Sequence, residues 1–352
     1  MSTSTVRWGI AGTGGIGRRT VGDLRLCESA EVVAVASRDQ QRADEFAGEF
    51  GLSLAFGSWT ELCASADVDA VYIGTPHSTH FAYAREALLA GKHVLCEKPL
   101  TMTAGEAREL GRIAAEHGVF LMEAMWTKFS PAVQRAVELV RSGAIGEPRF
   151  FQAGLGFPVP ADGPQRYWDP ALGGGALYDL AVYPVALAHL FLGTPQAVTA
   201  TGAMREDGVD LHEACVLEFP SGALAQFVTS LTFLVPPRGW IGGTGGSITF
   251  GERLFSPATM TVATGRPPGP PVVEELTFPQ EGAGYLPMFR AVNESILAGR
   301  IEHPTHPVAA TVEVLGVLEQ IRERLAVVRD EQQQQATKGG HSITAPPTSP
   351  SH

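Results

Sequence analysis

The chain has only four cysteines in 352 residues, Cys27, Cys63, Cys96 and Cys215. They are too few and too scattered for a disulfide framework, and none stand at metal-ligand spacing, so reduced and mostly buried thiols are expected. Positive charge is also scarce. Lys and Arg number 26 against 37 Asp and Glu, the net charge is −11, and no basic cluster is present. Nucleic acid and anionic membrane are therefore excluded as expected partners, while a few local cations can still serve a phosphorylated ligand. No apolar run is read as a membrane span. Residues 1–5 lack the charged and apolar regions of a secretory leader, which predicts a cytoplasmic location. No internal repeat is visible. What is there, 44% hydrophobic and 18% charged residues, suits a globular chain long enough for two cores.

Directly behind the apolar run Val6–Ala11 stands Gly12-Thr13-Gly14-Gly15-Ile16-Gly17. A G-x-G-x-x-G loop between a strand and a helix turns tightly and lets the backbone approach a pyrophosphate. The N–H groups of the helix that follows, expected from Arg18 to about Cys27, face that anion. Strands at 31–36, 70–74, 93–96 and 119–122 alternate with helices at 40–50, 79–90 and 104–117. This predicts a doubly wound parallel sheet. After about Pro131 the pattern changes to a helix at 133–142, strands at 149–154, 197–205, 214–219, 223–232, 247–250 and 259–263, and helices at 288–298 and 305–329. The predicted fold class is α/β: an N-terminal Rossmann sheet and a C-terminal α+β domain with an open-faced, mostly antiparallel sheet. The predicted domains are residues 1–125 for dinucleotide binding and 126–329 for substrate binding and dimerisation. Residues 330–352, with four consecutive glutamines, are predicted to be a disordered tail.

Ser37 and Arg38 follow the second strand, where NAD-selective sites usually carry a carboxylate. A hydroxyl and a guanidinium instead suit a 2′-phosphate, so NADP(H) is the expected cofactor and NAD(H) the lesser choice; Asp39 complicates this reading. Gly74-Thr75-Pro76 follows the third strand, with Thr75 and Pro76 expected near the nicotinamide ribose. His77 and His80 read as loop histidines, since no carboxylate or cysteine completes a metal set. Glu97-Lys98-Pro99 ends the next strand. There an ammonium can bind a substrate hydroxyl, a neighbouring carboxylate can orient it, and Pro99 can form a tight, cis-capable turn. Gly173-Gly174-Gly175 leads a helix on which Asp179 and Tyr183, four apart, share a face. A phenol beside an ammonium is expected to have a lowered pKa and to serve as proton acceptor.

Together these motifs resemble the Gfo/Idh/MocA oxidoreductase family. The resemblance spans nearly the whole chain to about Arg329. Glu123-Ala124-Met125-Trp126-Thr127-Lys128-Phe129 and Arg166-Tyr167-Trp168-Asp169-Pro170 are similar to the branch holding dimeric dihydrodiol dehydrogenase and NADP-dependent xylose dehydrogenase. Tyr183, where many members have histidine, fits that branch, while Ala181 replaces a glycine usual there. The resemblance implies hydride transfer at a carbinol or carbonyl carbon of a sugar or cyclic diol. It implies Lys98, Tyr183 and Asp179 as the catalytic set, and the glycine loop, Ser37, Arg38, Thr75, Pro76, His80, Glu97 and Lys98 as cofactor contacts. Trp126, Phe157, Arg166, Trp168 and Tyr183 become substrate contacts, with Tyr285 a further candidate from the second domain. A homodimer or homotetramer through the open sheet face is implied, and no metal. Three alternatives stand beside this reading: a ketoreductase of a nucleotide-linked deoxysugar, an NAD-dependent glycosidase, and a non-catalytic NADP(H)-responsive regulator.

Overall fold

The structure, a computed structural model, describes residues 5–265 and 268–339, without the side chains of 335–339. The first half alternates β1 (Val6–Ala11), α1 (Gly15–Leu24), β2 (Ala30–Ala36), α2 (Gln40–Phe50), β3 (Leu54–Phe56), α3 (Trp59–Ala64), β4 (Ala70–Ile73), α4 (His80–Leu89), β5 (His93–Cys96), α5 (Ala104–His117) and β6 (Leu121–Glu123). The strands form one parallel sheet in the order β3-β2-β1-β4-β5-β6. Continuous burial explains their apolar runs: β4 is buried throughout, and Trp8 and Ile10 of β1 are fully enclosed. The order reverses between β1 and β4, so their two following loops open side by side and form the crevice where ligands bind in such sheets. Helix ends follow local chemistry. Asp39 caps α2 by accepting the Gln41 N–H (3.0 Å), and Gly51 closes it at φ 59°.

The second half contains α6 (Pro131–Arg141), β7 (Pro148–Gly156), α7 (Val182–Leu192), β8 (Ala197–Met204), β9 (Asp210–Glu218), β10 (Leu224–Ser230), β11 (Gly239–Gly243), β12 (Gly246–Phe250), β13 (Thr259–Thr264), β14 (Val272–Thr277), α8 (Leu286–Leu297) and α9 (Val308–Gly339). Its eight strands lie in the order β14-β13-β12-β11-β7-β10-β9-β8, antiparallel except for β7 with β10. One face packs on α7 and α9. Along β8 and β9 buried residues alternate with exposed ones, and the other face presents Thr199, Val216, Leu224 and Gln226.

Several expectations are corrected. β3, α3, β11 and β14 went unpredicted, being short, glycine-rich or wholly surface-lying, without a readable period. The helix at Ala176 opens instead with a π-turn, Leu177–Ala181, in which the Val182 N–H reaches the Leu177 carbonyl. Pro184 offers no N–H to the next turn, so the chain shifts its hydrogen-bond register just before it. Pro170–Leu192 is long and apolar enough by composition to cross a membrane (hydropathy 1.4), contrary to expectation. Of that window 78% is buried inside the fold, and a helix enclosed on all sides is apolar all round. Residues 330–339 continue α9 rather than starting a disordered tail, because Gln, Ala and Lys are good helix formers. Residues 340–352 of that expectation lie outside the described residues. All four cysteines are free and buried, as predicted.

The late helix α8 returns to pack on β1 and α1. Trp8 donates to Asn293 (3.0 Å), and the Asp23 carboxylate of α1 accepts the N–H groups of Ala283 and Tyr285, both at 2.7 Å. Asp23 is 2% exposed. Replacing it with Ala leaves two donors short of an acceptor, so Asp23→Ala is expected to lower unfolding free energy by about 2 kcal/mol or more. Urea denaturation checks this; an unchanged midpoint would refute the anchoring role.

Candidate active site

A cavity of about 520 Å³ opens at the C-terminal edge of the parallel sheet, between it and the π-turn. On one side stand Gly14, Gly15 and Ile16. Gly12 adopts φ 103°, and a Cβ on Gly17 would lie 2.4 Å from the Gly12 carbonyl, so only glycine permits this loop. Around Gly14 and Gly15 nothing lies within 4 Å of such an added atom. Gly14 begins α1 without any side-chain cap. Uncapped first-turn N–H groups beside open space fit a dinucleotide diphosphate. Thr75 and Pro76 line the same cavity.

Deeper in stand Lys98 and Asp179, each 8% exposed. The Lys98 ammonium donates to the Asp179 carbonyl (2.6 Å) and lies 3.2 Å from its carboxylate. Lys98–Pro99 is cis. The Lys98 N–H is accepted by the Glu97 carboxylate (3.1 Å), whose other oxygen accepts from the Tyr72 hydroxyl. Burial would raise the Asp179 pKa, but the Lys98 ammonium and the Arg166 guanidinium bring it down to about 2. Burial raises the Glu97 carboxyl. His77 lies 4.0 Å from Asp179 and is held neutral, its pKa drawn down by burial to about 3.

Tyr183 accepts a hydrogen bond from Trp126 Nε1 (3.2 Å), and Lys98 Nζ sits 4.8 Å from its ring centre. The expected lowering of its pKa is overturned. Burial, then the Glu97 and Asp179 carboxylates, push the phenol well above its usual range. The ammonium faces the ring and pairs with Asp179, so Tyr183 is a neutral phenol, a proton donor as it stands.

Arg166 lines the mouth, 3.1 Å from Asp179 and 3.9 Å above the Tyr167 ring. Trp126 stacks on Tyr285 (4.4 Å), and Phe157 completes the outer wall. Trp168, His80, Ser37 and Arg38 do not line the cavity. Trp168 donates to the Pro160 carbonyl (2.8 Å) and does not line the cavity; Tyr167, one residue earlier on the same tight turn, takes that place. His80 is fully buried, tying the Thr75 carbonyl (2.9 Å) to the Pro99 carbonyl (2.7 Å) behind the cavity. Ser37 and Arg38 stand at the end of β2, outside the main cavity, with Arg38 exposed. Asp39, the next residue, caps α2 with its carboxylate. Phe255 was not anticipated: it packs 5.5 Å from Tyr183 and 5.8 Å from Trp126 from a loop with no periodic signal. Arg19, also on the cavity wall, was missed because it reads as one more helix surface charge.

Residues 6–125 match the model of the Gfo/Idh/MocA oxidoreductase family with an NAD-binding Rossmann fold, and residues 133–249 match a C-terminal domain of the same family. The trans-1,2-dihydrobenzene-1,2-diol dehydrogenase of Mus musculus is 35% identical over 328 residues, covering 92% of this chain and 97% of its own. The chain belongs to the Gfo/Idh/MocA oxidoreductase family. Among solved structures, it is similar to KijD10, a 3-ketoreductase from Actinomadura kijaniata in complex with NADP and TDP-benzene (TM-score 0.81, 30% identity, 92% and 98% coverage). It is also similar to the aldose-aldose oxidoreductase of Caulobacter crescentus (TM-score 0.81, 25% identity, 93% and 98% coverage). This Gfo/Idh/MocA member is thus an NAD(P)-linked oxidoreductase acting on CH–OH groups. As its phenol is held neutral by a raised pKa, alcohol oxidation is expected to keep accelerating with pH beyond the ordinary phenol range instead of levelling off within it. Tyr183→Phe removes that rise. A pH-independent oxidation rate in the parent chain would contradict the proton role of Tyr183.

Proposed function

We propose that this chain uses NADP(H) to interconvert a ring CH–OH and carbonyl in a cyclic diol or sugar. The observation that carries the reading is the meeting of Lys98, Asp179 and Tyr183 in the cavity that the glycine loop enters. Aromatic and aliphatic faces form much of the wall, including Trp126, Phe157 and Tyr285, and such faces stack on ring C–H surfaces. A nicotinamide cofactor held by the glycine loop, Thr75 and Pro76 would supply or accept the hydride. Lys98 binds the reacting oxygen and stabilises its developing negative charge. Asp179 holds the ammonium in place, and Tyr183 gives its proton to the oxygen in reduction or takes one in oxidation. The related dehydrogenases favour a trans-diol, and trans-1,2-dihydrobenzene-1,2-diol and D-xylose are the first substrates to test.

The 2′-phosphate of NADP(H) is assigned to Ser37 and Arg38. Arg38 is exposed and makes no ion pair among the described residues, so its charge is available to a phosphate. A nucleotide-linked substrate is less favoured, because Arg166 at the mouth already serves Asp179 and Tyr167. Residues 1–125 form the cofactor unit in this reading and 126–329 the substrate unit. The outward face of the eight-stranded sheet, with Phe150 packed on Trp240 and Leu224 exposed, is assigned to a cytoplasmic homodimer or homotetramer.

Lys98→Ala is expected to lower kcat by roughly 10²–10³-fold while nicotinamide fluorescence still reports NADPH binding. Unimpaired turnover would remove Lys98 from the chemistry. Arg38→Ala is expected to weaken NADPH by about tenfold or more and to leave NADH unchanged. Equal losses for both cofactors would contradict the phosphate assignment.

A further inference from the structure

The turn that carries Lys98 is held by buried ionisable side chains that take no part in the chemistry above. Glu97 accepts the Lys98 N–H (3.1 Å), and His80 Nδ1 meets the Pro99 carbonyl (2.7 Å). Glu123, at the end of β6, accepts the Leu100 N–H (2.9 Å). Behind Glu123 runs a chain of polar groups. Its second carboxylate oxygen lies 2.7 Å from His306 Nε2 and 3.2 Å from the Thr311 hydroxyl. His306 Nδ1 lies 3.1 Å from the Lys128 ammonium. Glu123, Lys128, His306 and Thr311 are each 1% exposed.

The partners set the direction of the chain. The Lys128 ammonium can only donate, so His306 Nδ1 accepts and Nε2 carries the proton to Glu123. Burial would raise the Glu123 carboxyl, but the bond from His306 draws it down, and burial lowers the His306 imidazole to about 4. Stability alone does not call for this arrangement, since well-packed apolar residues serve as well as buried charges. The chain also frames Trp126, which lies between Glu123 and Lys128 in sequence and donates to Tyr183.

We propose that Glu123, held as a carboxylate by His306 and Lys128, is a positioning residue: by gripping the Leu100 N–H it aims Lys98 at Asp179 and the reacting oxygen. The proposal rests on the reading of Lys98 as the catalytic ammonium. His306→Leu breaks the chain with an apolar group. His306→Gln keeps it, because its amide can donate to Glu123 and accept from Lys128.

The test measures trans-1,2-dihydrobenzene-1,2-diol oxidation with NADP⁺, NADPH affinity by fluorescence, and thermal midpoint. His306→Leu is expected to lower kcat about 100-fold, the scale of a misplaced catalytic group, with NADPH affinity close to the parent chain and a lowered thermal midpoint, because Glu123 and Lys128 lose their buried partner. His306→Gln is expected to restore most of that rate, which a packing role would not do. A Leu variant within threefold of the parent, or a Gln variant no faster than Leu, overturns the proposal. Should His306→Leu not fold, Lys128→Met carries the same expectation, and an undiminished kcat there is equally fatal. Lys98→Ala separates the two levels. Normal turnover in that variant sinks the functional reading and the proposal with it. A crippled Lys98→Ala beside an unaffected His306→Leu sinks the proposal alone.

Discussion

The ion pair between Lys98 and Asp179 joins the two halves of this molecule, 81 residues apart in sequence and 3.2 Å apart in space. Each partner is almost wholly removed from water. Desolvating two charges costs several kcal/mol per ion, and the cost is recovered only with good geometry and further hydrogen bonds. The structure supplies both: the ammonium also takes the Asp179 backbone carbonyl, and the carboxylate also takes Arg166. An unpartnered charge here would be costly, so the turn after β5 and the π-turn before α7 must meet correctly for either to be tolerated.

Each side of that pair is rigidly prepared. On the first, a cis-proline turn has its N–H and carbonyl groups taken by Glu97, His80 and Glu123. On the second, Asp210 reaches from β9 to accept the Leu177 N–H (2.6 Å) at the head of the π-turn. Gly175, at φ 126°, leaves room for that carboxylate, which an added Cβ would meet at 2.3 Å. Asp23 then draws Tyr285 onto α1, Tyr285 stacks on Trp126, and Trp126 donates to Tyr183. This series of contacts fixes Tyr183 and Lys98 relative to one another from elements far apart in the chain, the placement that the proposed reaction requires.

The charge state follows from the same enclosure. Water exclusion keeps Tyr183 and His77 neutral, while Asp179 stays ionised only because cations face it. An ammonium near a phenol was expected to acidify it. In the folded molecule the ammonium addresses the ring and the carboxylate instead, and burial decides the outcome.

Much of the fold and part of the site were legible in the sequence. Buried parallel strands carry runs of apolar residues, so β1, β2, β4 and β5 announced themselves. The glycine loop did so because its φ angles and close approaches admit no other residue. Lys98, Asp179 and Tyr183, which meet on the cavity wall, could be singled out because their local motifs are short and contiguous. Other features depend on residues far apart in sequence and had no local signal: Phe255 on the cavity wall, Tyr167 in place of Trp168, and the buried contacts of Glu123, His306, Asp210 and Asp23. The helical continuation of α9 was misread because composition does not reveal what a segment will pack against. The sequence by itself determined the elements with a readable period and the short motifs that meet at the cavity, since propensity, periodicity and glycine sterics act over a few neighbouring residues. Tertiary structure alone decided who partners whom in the cavity and which groups hold charge, because burial and electrostatics depend on contacts across tens to hundreds of residues.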